Sequence, residues 1–381
     1  MKQENSNSNA DVIVVGAGLI GLSAAWEIAG RGAKVTVIER EVPGCGATRV
    51  AAGMLAPVGE LDFGEPELLT MNLRSRELYP DFIAAIESET GLDTGYRHTG
   101  ALHVALDRDE AGELKRVMEL QRSNGLDSTW LGPMAARELE PGVSPSLAGA
   151  VLVEDDAVVD PRALTEALIA GLAGRGVSIE TAEATGLRMS GRRISGVETT
   201  GGTIAAPVVI TACGAEAGVA EWLPEGVRPP VRPVKGQVVE LQGDTDDPAC
   251  TRILGSERVY IAPRPDGRLI LGATVEEMGF DRRVTGGGIH ELLREAYRLL
   301  PDVSEMEFLG ATAGLRPGTP DNIPVIGPTA IDGLVLATGH YRNGILLAPV
   351  TAQAVAELIF EGSTGLVTAA SPQRFTTQEA T

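Results

Sequence analysis

The run DVIVVGAGLIGLSAAWEIAGRGAKVTVIER, Asp11 to Arg40, constrains the fold of this chain more than any other stretch. It opens with four consecutive apolar residues, Val12–Val15, the pattern of a strand buried on both faces of a parallel sheet. Gly16, Gly18 and Gly21 follow in G-x-G-x-x-G spacing. Leu22–Ala29 then reads as a helix closed by Gly30 and Gly32, and Lys34–Ile38 as a second strand that ends at Glu39. Each residue type has a physical job. Gly16 permits a tight turn, Gly18 lets a pyrophosphate approach the backbone, and Gly21 lets the helix pack close on the strand. The helix N-terminus faces the phosphate charge. Glu39 is placed to accept hydrogen bonds from ribose hydroxyls. Three spaced glycines alone fit many turns. Strand, turn, helix, strand and terminal acid in this order predict a dinucleotide site, and these residues leave NAD and FAD both open.

The next segment, GCGATRVAAGMLAP (44–57), is small and glycine-rich. It offers backbone amides and slim side chains suited to phosphate and a flat ring, although a plain loop would read the same way. Further on, 157–180 reads as a helix followed by a strand, and Val208–Thr211 as a buried strand. Residues 332–360 read as a strand, a glycine loop and a buried helix with Pro349 in its first turn. These return to the first domain. Between them the character changes. GALHVAL (100–106) is a strand, 109–123 a helix, and KGQVVELQG (235–243) alternates. Residues 258–275 form a hairpin turning at Pro265-Asp266-Gly267, 286–300 a helix, and 305–312 a strand. The pattern predicts a second, mainly antiparallel domain inserted twice into the first.

Composition closes off several function classes. The 381 residues carry 32 Lys+Arg against 52 Asp+Glu, a net charge of -20. That balance argues against nucleic acid and anionic membranes as partners, and a carboxylate ligand would need local cations. Cys45, Cys213 and Cys250 are odd in number and far apart, which predicts no disulfide framework and a reducing, cytoplasmic setting. The four histidines, His98, His103, His290 and His340, form no metal-ligand pattern. MKQENSNSNA at the start is polar and lacks the apolar core of a signal.

One cation stands out. AGLRPGTPDNIPVIG, Ala313 to Gly327, holds a single arginine, Arg316, among glycines, prolines and apolar residues. A guanidinium is a planar fork that matches a carboxylate in two parallel hydrogen bonds, and stiff flanks would hold it preorganised. A buried pair with an internal acid would also explain it.

VGAGLIGLSAA, AAGMLAP, PVKGQVVEL, VYIAPRPDGRLILGAT, AGLRPGTPDNIPVIG and GHYRNGILLAP together resemble the FAD-dependent D-amino acid oxidase family, from about residue 10 to 370. The resemblance implies a Rossmann-like FAD-binding α/β domain with an inserted, mainly antiparallel α+β substrate domain. The expected division is a disordered tail at 1–9, an FAD-binding domain of 10–88, 148–222 and 306–370, and a substrate-binding domain of 89–147 and 223–305. It implies oxidative deamination of glycine and other small amino acids or amines with O2 as acceptor, by a branch that supplies dehydroglycine for the thiazole of thiamine. It also implies a homo-oligomer, with a tetramer as one open state.

Residue by residue, the resemblance implies that Arg316 grips the substrate carboxylate, Tyr260 hydrogen-bonds it, and Arg342 lies near substrate and flavin. For FAD it implies Gly16, Gly18, Leu19, Ile20 and Gly21 in the glycine turn, and Glu39 and Arg40 at the ribose. It further implies Ala47, Thr48, Ala52, Gly53 and Met54, then Ala184, and His340, Tyr341, Arg342, Asn343, Gly344, Ile345 and Leu346 along the isoalloxazine. Met54 also belongs to the substrate pocket. The amides at Gly344–Leu347 are expected to face negative charge that develops on the flavin. With no cysteine after Cys250, a C-terminal covalent link is not expected and FAD is non-covalent. Two departures bear on the substrate. Arg258, two residues before Tyr260, would share its face on a strand. Val275 stands where a larger methionine can occur, leaving room beyond glycine. A sarcosine or other D-amino acid oxidase, a quinone-linked dehydrogenase and a catalytically silent flavoprotein subunit remain open.

Overall fold

The computed structural model describes residues 10–61, 65–363 and 365–375; the tail expected at 1–9 lies outside the described residues. Val12–Val15 is buried along its length and lies inside a six-stranded sheet. The order is Val325–Pro328, Leu334–Thr338, Val208–Thr211, Val12–Val15, Val35–Glu39, Ser178–Thr181. All neighbours are parallel except Val325–Pro328, which pairs antiparallel at one edge.

Alternation along the central strand builds two cores. Val12 and Val14 pack with the helices Leu19–Gly30, Pro66–Thr90, Pro161–Gly174 and Ala348–Glu361 on one face. Ile13 and Val15 pack on the other against Ile194, Val197 and Ile204 of a three-stranded antiparallel sheet, Ala184–Ser190, Arg193–Thr199 and Gly202–Ala205. Each aliphatic side chain so buried contributes about 1.5–3 kcal/mol. The first helix starts at Leu19, three residues earlier than its sequence suggests, because Gly18 is its N-cap. Leu19 and Ile20 therefore sit in the first helical turn, not in the glycine turn.

The second sheet has eight strands in the order Glu307–Gly318, Arg232–Gln242, Arg268–Gly272, Tyr260–Pro263, Ile253–Gly255, Ala101–Ala105, Gly149–Val153, Thr129–Leu131. Its pairs are antiparallel except Ile253–Gly255 with Ala101–Ala105. Gly149–Val153 and Glu307–Gly318 fall within the stretches expected in the FAD-binding domain, yet both pair in this sheet. The strand expected at 305–312 runs on to Gly318 and takes Arg316 with it. Sheet pairing, Val234 opposite Arg316, holds the arginine; the turn-rich character of its sequence does not. The 25-residue helix Pro66–Thr90 carries Pro80 in its interior and has no counterpart in the sequence reading.

Candidate active site

A cavity of about 900 Å³ opens beyond the carboxyl ends of the parallel strands. The chain leaves Val12–Val15 toward Val35–Glu39 on one side, while Val208–Thr211 flanks the other. This reversal of strand order is where open α/β sheets bind ligands. The cavity reaches from Glu39 and Arg40 past Gly16, Gly18, Leu19 and Ile20 to Arg316, His340, Tyr341 and Arg342. Ala47, Thr48, Ala184, Gly344 and Ile345 line it as well.

Backbone geometry makes the nucleotide end. Gly16 has φ 108°, and a Cβ there would collide with the Ala212 carbonyl; a Cβ on Gly21 would collide with the Gly16 carbonyl. Both glycines are required by packing. Gly18 differs: the nearest atom to a Cβ there is Thr48 Oγ1 at 3.6 Å, so its free side faces the cavity. Thr48 Oγ1 accepts from the Leu19 N–H at 3.1 Å. Glu39 is pinned by the Ala17 N–H at 2.8 Å and the Glu41 N–H at 2.9 Å. A helix N-terminus, an open glycine and a fixed carboxylate in one long cavity fit a flavin dinucleotide.

The substrate end is made by side chains from the large sheet. Arg316 Nη1 donates to the Thr274 carbonyl at 3.0 Å and to the Lys235 carbonyl at 3.4 Å. Among the described residues it has no carboxylate within ion-pair distance. The cation behind it is different: Lys235, 1% exposed, is paired with Glu276 at 3.2 Å, and Glu276 also accepts from Thr274 Oγ1 and Gln237 Nε2, each at 2.6 Å. The internal acid therefore neutralises the lysine and leaves the arginine fork open. Glycines shape the space. A side chain at Gly236 would strike the Arg316 guanidinium, and one at Gly272 would strike the Tyr260 hydroxyl.

Tyr260 packs with Met54, Ala52, Val238 and Ala273 and lies within electrostatic reach of Arg316. Burial pushes its phenol up to about 12, against the opposing pull of Arg316, so it remains a hydrogen-bond donor at neutral pH. Sequence reasoning missed Glu60, whose carboxyl is raised by burial and drawn back by Arg342 and Arg316. It follows AAGMLAP in an unpatterned acidic stretch, and no spacing marks it. Sequence reasoning also missed Arg282, which reaches from the loop that follows Arg268–Gly272 to Glu216 at 3.3 Å, beside Arg40 on the same carboxylate at 2.9 Å. Cys45 and Cys213 line the cavity too, but burial raises both thiols, Cys213 to about 12.

Other expected residues stand apart from the cavity wall. Ala52 and Gly53 are buried behind it, Asn343 N donates to the His340 carbonyl, and Leu346 is 3% exposed. Arg258 lies in a bend before the strand, which begins at Tyr260, so strand alternation does not place it beside the tyrosine. Val275 is 59% exposed. His340 Nε2 bonds Thr351 Oγ1 at 3.0 Å, and burial lowers the ring to about 3, so it is neutral and no general base.

The loop before the last helix is held from behind. Ser75 Oγ donates to the Leu346 carbonyl at 2.6 Å and Tyr79 Oη to the Ile345 carbonyl at 2.9 Å. The helix itself starts at Ala348, and the Leu347 N–H donates to the Asn343 carbonyl at 2.8 Å. Leu347 thus drops out of the amides expected to face the flavin.

Residues 11–358 match the family model described as FAD dependent oxidoreductase. The chain is 36% identical to the bifunctional protein ThiO/ThiG of Trichormus variabilis over 92% of its length, and spans about half, 53%, of that relative. It is 36% identical to a glycine oxidase of Geobacillus kaustophilus, covering 92% of each chain. The crystal structure of glycine oxidase from Geobacillus kaustophilus superposes with a TM-score of 0.89 at 35% identity, over 96% of this chain and 99% of that one. No helix among the described residues is long and apolar enough to cross a membrane.

Proposed function

This chain belongs to the FAD dependent oxidoreductase family, and from that premise we propose that it deaminates glycine and other small amino acids or amines oxidatively. The reaction is glycine + O2 + H2O to glyoxylate + NH3 + H2O2. The observation that carries this reading is the Arg316 fork, which faces the cavity with carbonyl partners but, among the described residues, no carboxylate. In a protein of net charge -20 this local cation supplies the attraction that the overall charge opposes.

FAD, when bound, supplies the two-electron oxidation at the amine-bearing carbon and returns the electrons to O2. The chain's own residues bind and orient. Arg316 takes the substrate carboxylate in two parallel hydrogen bonds, and the Tyr260 hydroxyl donates a third. Arg342, exposed at the cavity, adds a second positive charge. Glu60 sets the balance of charge beside both arginines. With His340 neutral and bonded, the reading assigns removal of the α-hydrogen to no side chain among the described residues; the substrate amine arrives neutral and the resulting imine hydrolyses in water. The Gly18–Leu19 turn takes the pyrophosphate, Glu39 the ribose, and Ala51 with the His340–Ile345 segment the ring. With no cysteine after Cys250, the flavin in this reading is held non-covalently.

Dehydroglycine supply to the thiamine thiazole, a cytoplasmic location and a homo-oligomeric state complete the proposal. The domain division follows the two sheets, with Gly149–Val153 and Glu307–Gly318 on the substrate side. A peroxide assay over glycine, sarcosine, D-alanine and D-proline tests the reaction. Peroxide with glycine is the expected outcome, and a flavin-loaded protein that gives none with any of the four overturns it.

A further inference from the structure

The motif APRPDGRLILGAT contains two arginines, Arg264 and Arg268, that the proposed reaction does not use. Arg264 follows the strand that carries Tyr260, and only 6% of it is exposed. Its Nη2 donates to the Ala52 carbonyl, a short contact, and its Nε lies 3.7 Å from Asp160 Oδ2. Nη1 is buried without a partner among the described residues. Burial lowers the guanidinium to about 10, with Asp160 opposing, so it is charged at neutral pH.

The surroundings show what this charge holds. Asp160 caps the helix Pro161–Gly174 through Oδ1, which accepts from the Arg162 N–H at 2.9 Å. Its Oδ2 accepts from Arg268 Nη2 at 2.9 Å. Glu240 accepts both Arg162 Nη1 (3.2 Å) and Arg268 Nη1 (2.7 Å). Arg162 Nε donates to the Arg49 carbonyl at 3.3 Å. Two carbonyls of the 49–54 segment thus receive arginine donors, one from each side. The same segment is closed in by Val159, whose N–H donates to the Gly53 carbonyl at 2.9 Å. Gly53 has φ 71°, and a Cβ there would strike the Val159 carbonyl. Ala52 also packs with Val238, Ala262 and Ile270 of the large sheet.

We propose that Arg264 is a positioning residue for the cofactor: from the large sheet, it fixes the peptide at Ala52 and with it the adjoining Ala51, which lines the cavity proposed to hold the flavin. This deepens the functional reading and rests on its placement of FAD in that cavity. An arginine suits the task because one rigid fork spans a carbonyl and a carboxylate. A lysine at this position keeps the charge but lacks the second donor arm.

Arg264→Met and Arg264→Lys, with Arg316→Ala as control, test the proposal by FAD titration of the apoproteins followed by flavin fluorescence. The flavin absorption band and the thermal midpoint are recorded in parallel. Removing one partner from a buried bond typically weakens the linked equilibrium about tenfold or more. The FAD dissociation constant of Arg264→Met should rise by about that factor, with a shifted flavin band; Arg264→Lys should fall between it and the parent. Arg316→Ala should bind FAD like the parent. If Arg264→Met proves unfolded, Arg264→Lys decides by the same readings. A folded variant with parental FAD affinity and an unshifted band, whatever its melting temperature, overturns the proposal. A parent apoprotein that does not bind FAD would instead overturn the functional reading.

Discussion

Two groups of arginines, built around Arg268 and Arg316 of the large sheet, differ in one respect. Arg162, Arg264 and Arg268 share Asp160 and Glu240, and Arg268 also holds Asp266 at 2.7 Å. Arg316 and Arg342 have no carboxylate partner within ion-pair distance among the described residues, although Glu60 lies within electrostatic reach of both. The first group carries its own acids and ties the helix Pro161–Gly174 to the large sheet. The second carries none among the described residues, and in the proposed reaction the substrate supplies the carboxylate. A built-in counter-charge thus distinguishes the two groups.

The contrast breaks first at Asp160. Asp160→Ala strips the acid from two arginines and a helix cap, and should cost about 3–5 kcal/mol of stability, read as a lower urea midpoint. An unchanged midpoint would show that the partnered group is not structural. Arg316→Ala should do the reverse. Glycine or glycolate binding should weaken by about 30-fold or more, from a loss of about 2–5 kcal/mol, while flavin content and melting temperature hold. Arg316→Lys should recover part of this, and a neutral amine should bind variant and parent alike. Loss of folding with carboxylate affinity intact would move Arg316 into the structural group.

Tyr260→Phe removes one neutral donor and should cost about 0.5–1.5 kcal/mol in carboxylate affinity. Because burial holds the phenol up at about 12, the parent's affinity should show no tyrosine ionisation between pH 7 and 10; a break near 10 would contradict this environment. Val275→Met is the smallest change. At a position 59% exposed it should narrow the range toward glycine by at most about 1 kcal/mol, the low end for a methylene-sized misfit. Equal kcat/KM ratios for glycine and D-alanine in both proteins would remove Val275 from the pocket.

The nucleotide half of the site was legible because its work is done by consecutive residues. Strand, glycine turn and Glu39 lie within one unit, and local chemistry dictates each. The substrate half is assembled across distance. Arg316 depends on Gly236 of another strand and on Thr274, just past the end of Arg268–Gly272, and no local pattern announces that the guanidinium crosses a glycine. Arg316 stood out by its setting and the resemblance added Tyr260, but Arg282 reaches the cavity, and Glu60 comes within electrostatic reach of Arg316 and Arg342, through tertiary packing alone. Two elements went unread for opposite reasons. Pro66–Thr90 is interrupted by Pro80, which argues against a helix in sequence, yet flanking turns keep it continuous. The long strand through Arg316 was hidden by glycine and proline, residues an edge strand tolerates.

That unread helix has a last consequence. Ser75 and Tyr79 point their hydroxyls at the carbonyls of Leu346 and Ile345. A peptide plane has two ends, and anchoring the oxygen end decides which way the hydrogen end looks. The pair therefore fixes two successive peptide planes of the loop, and the hydrogen end of one of them, the Leu347 N–H, is turned to the Asn343 carbonyl. The shape of the loop that bounds the cavity is set in part by a helix that lies behind it.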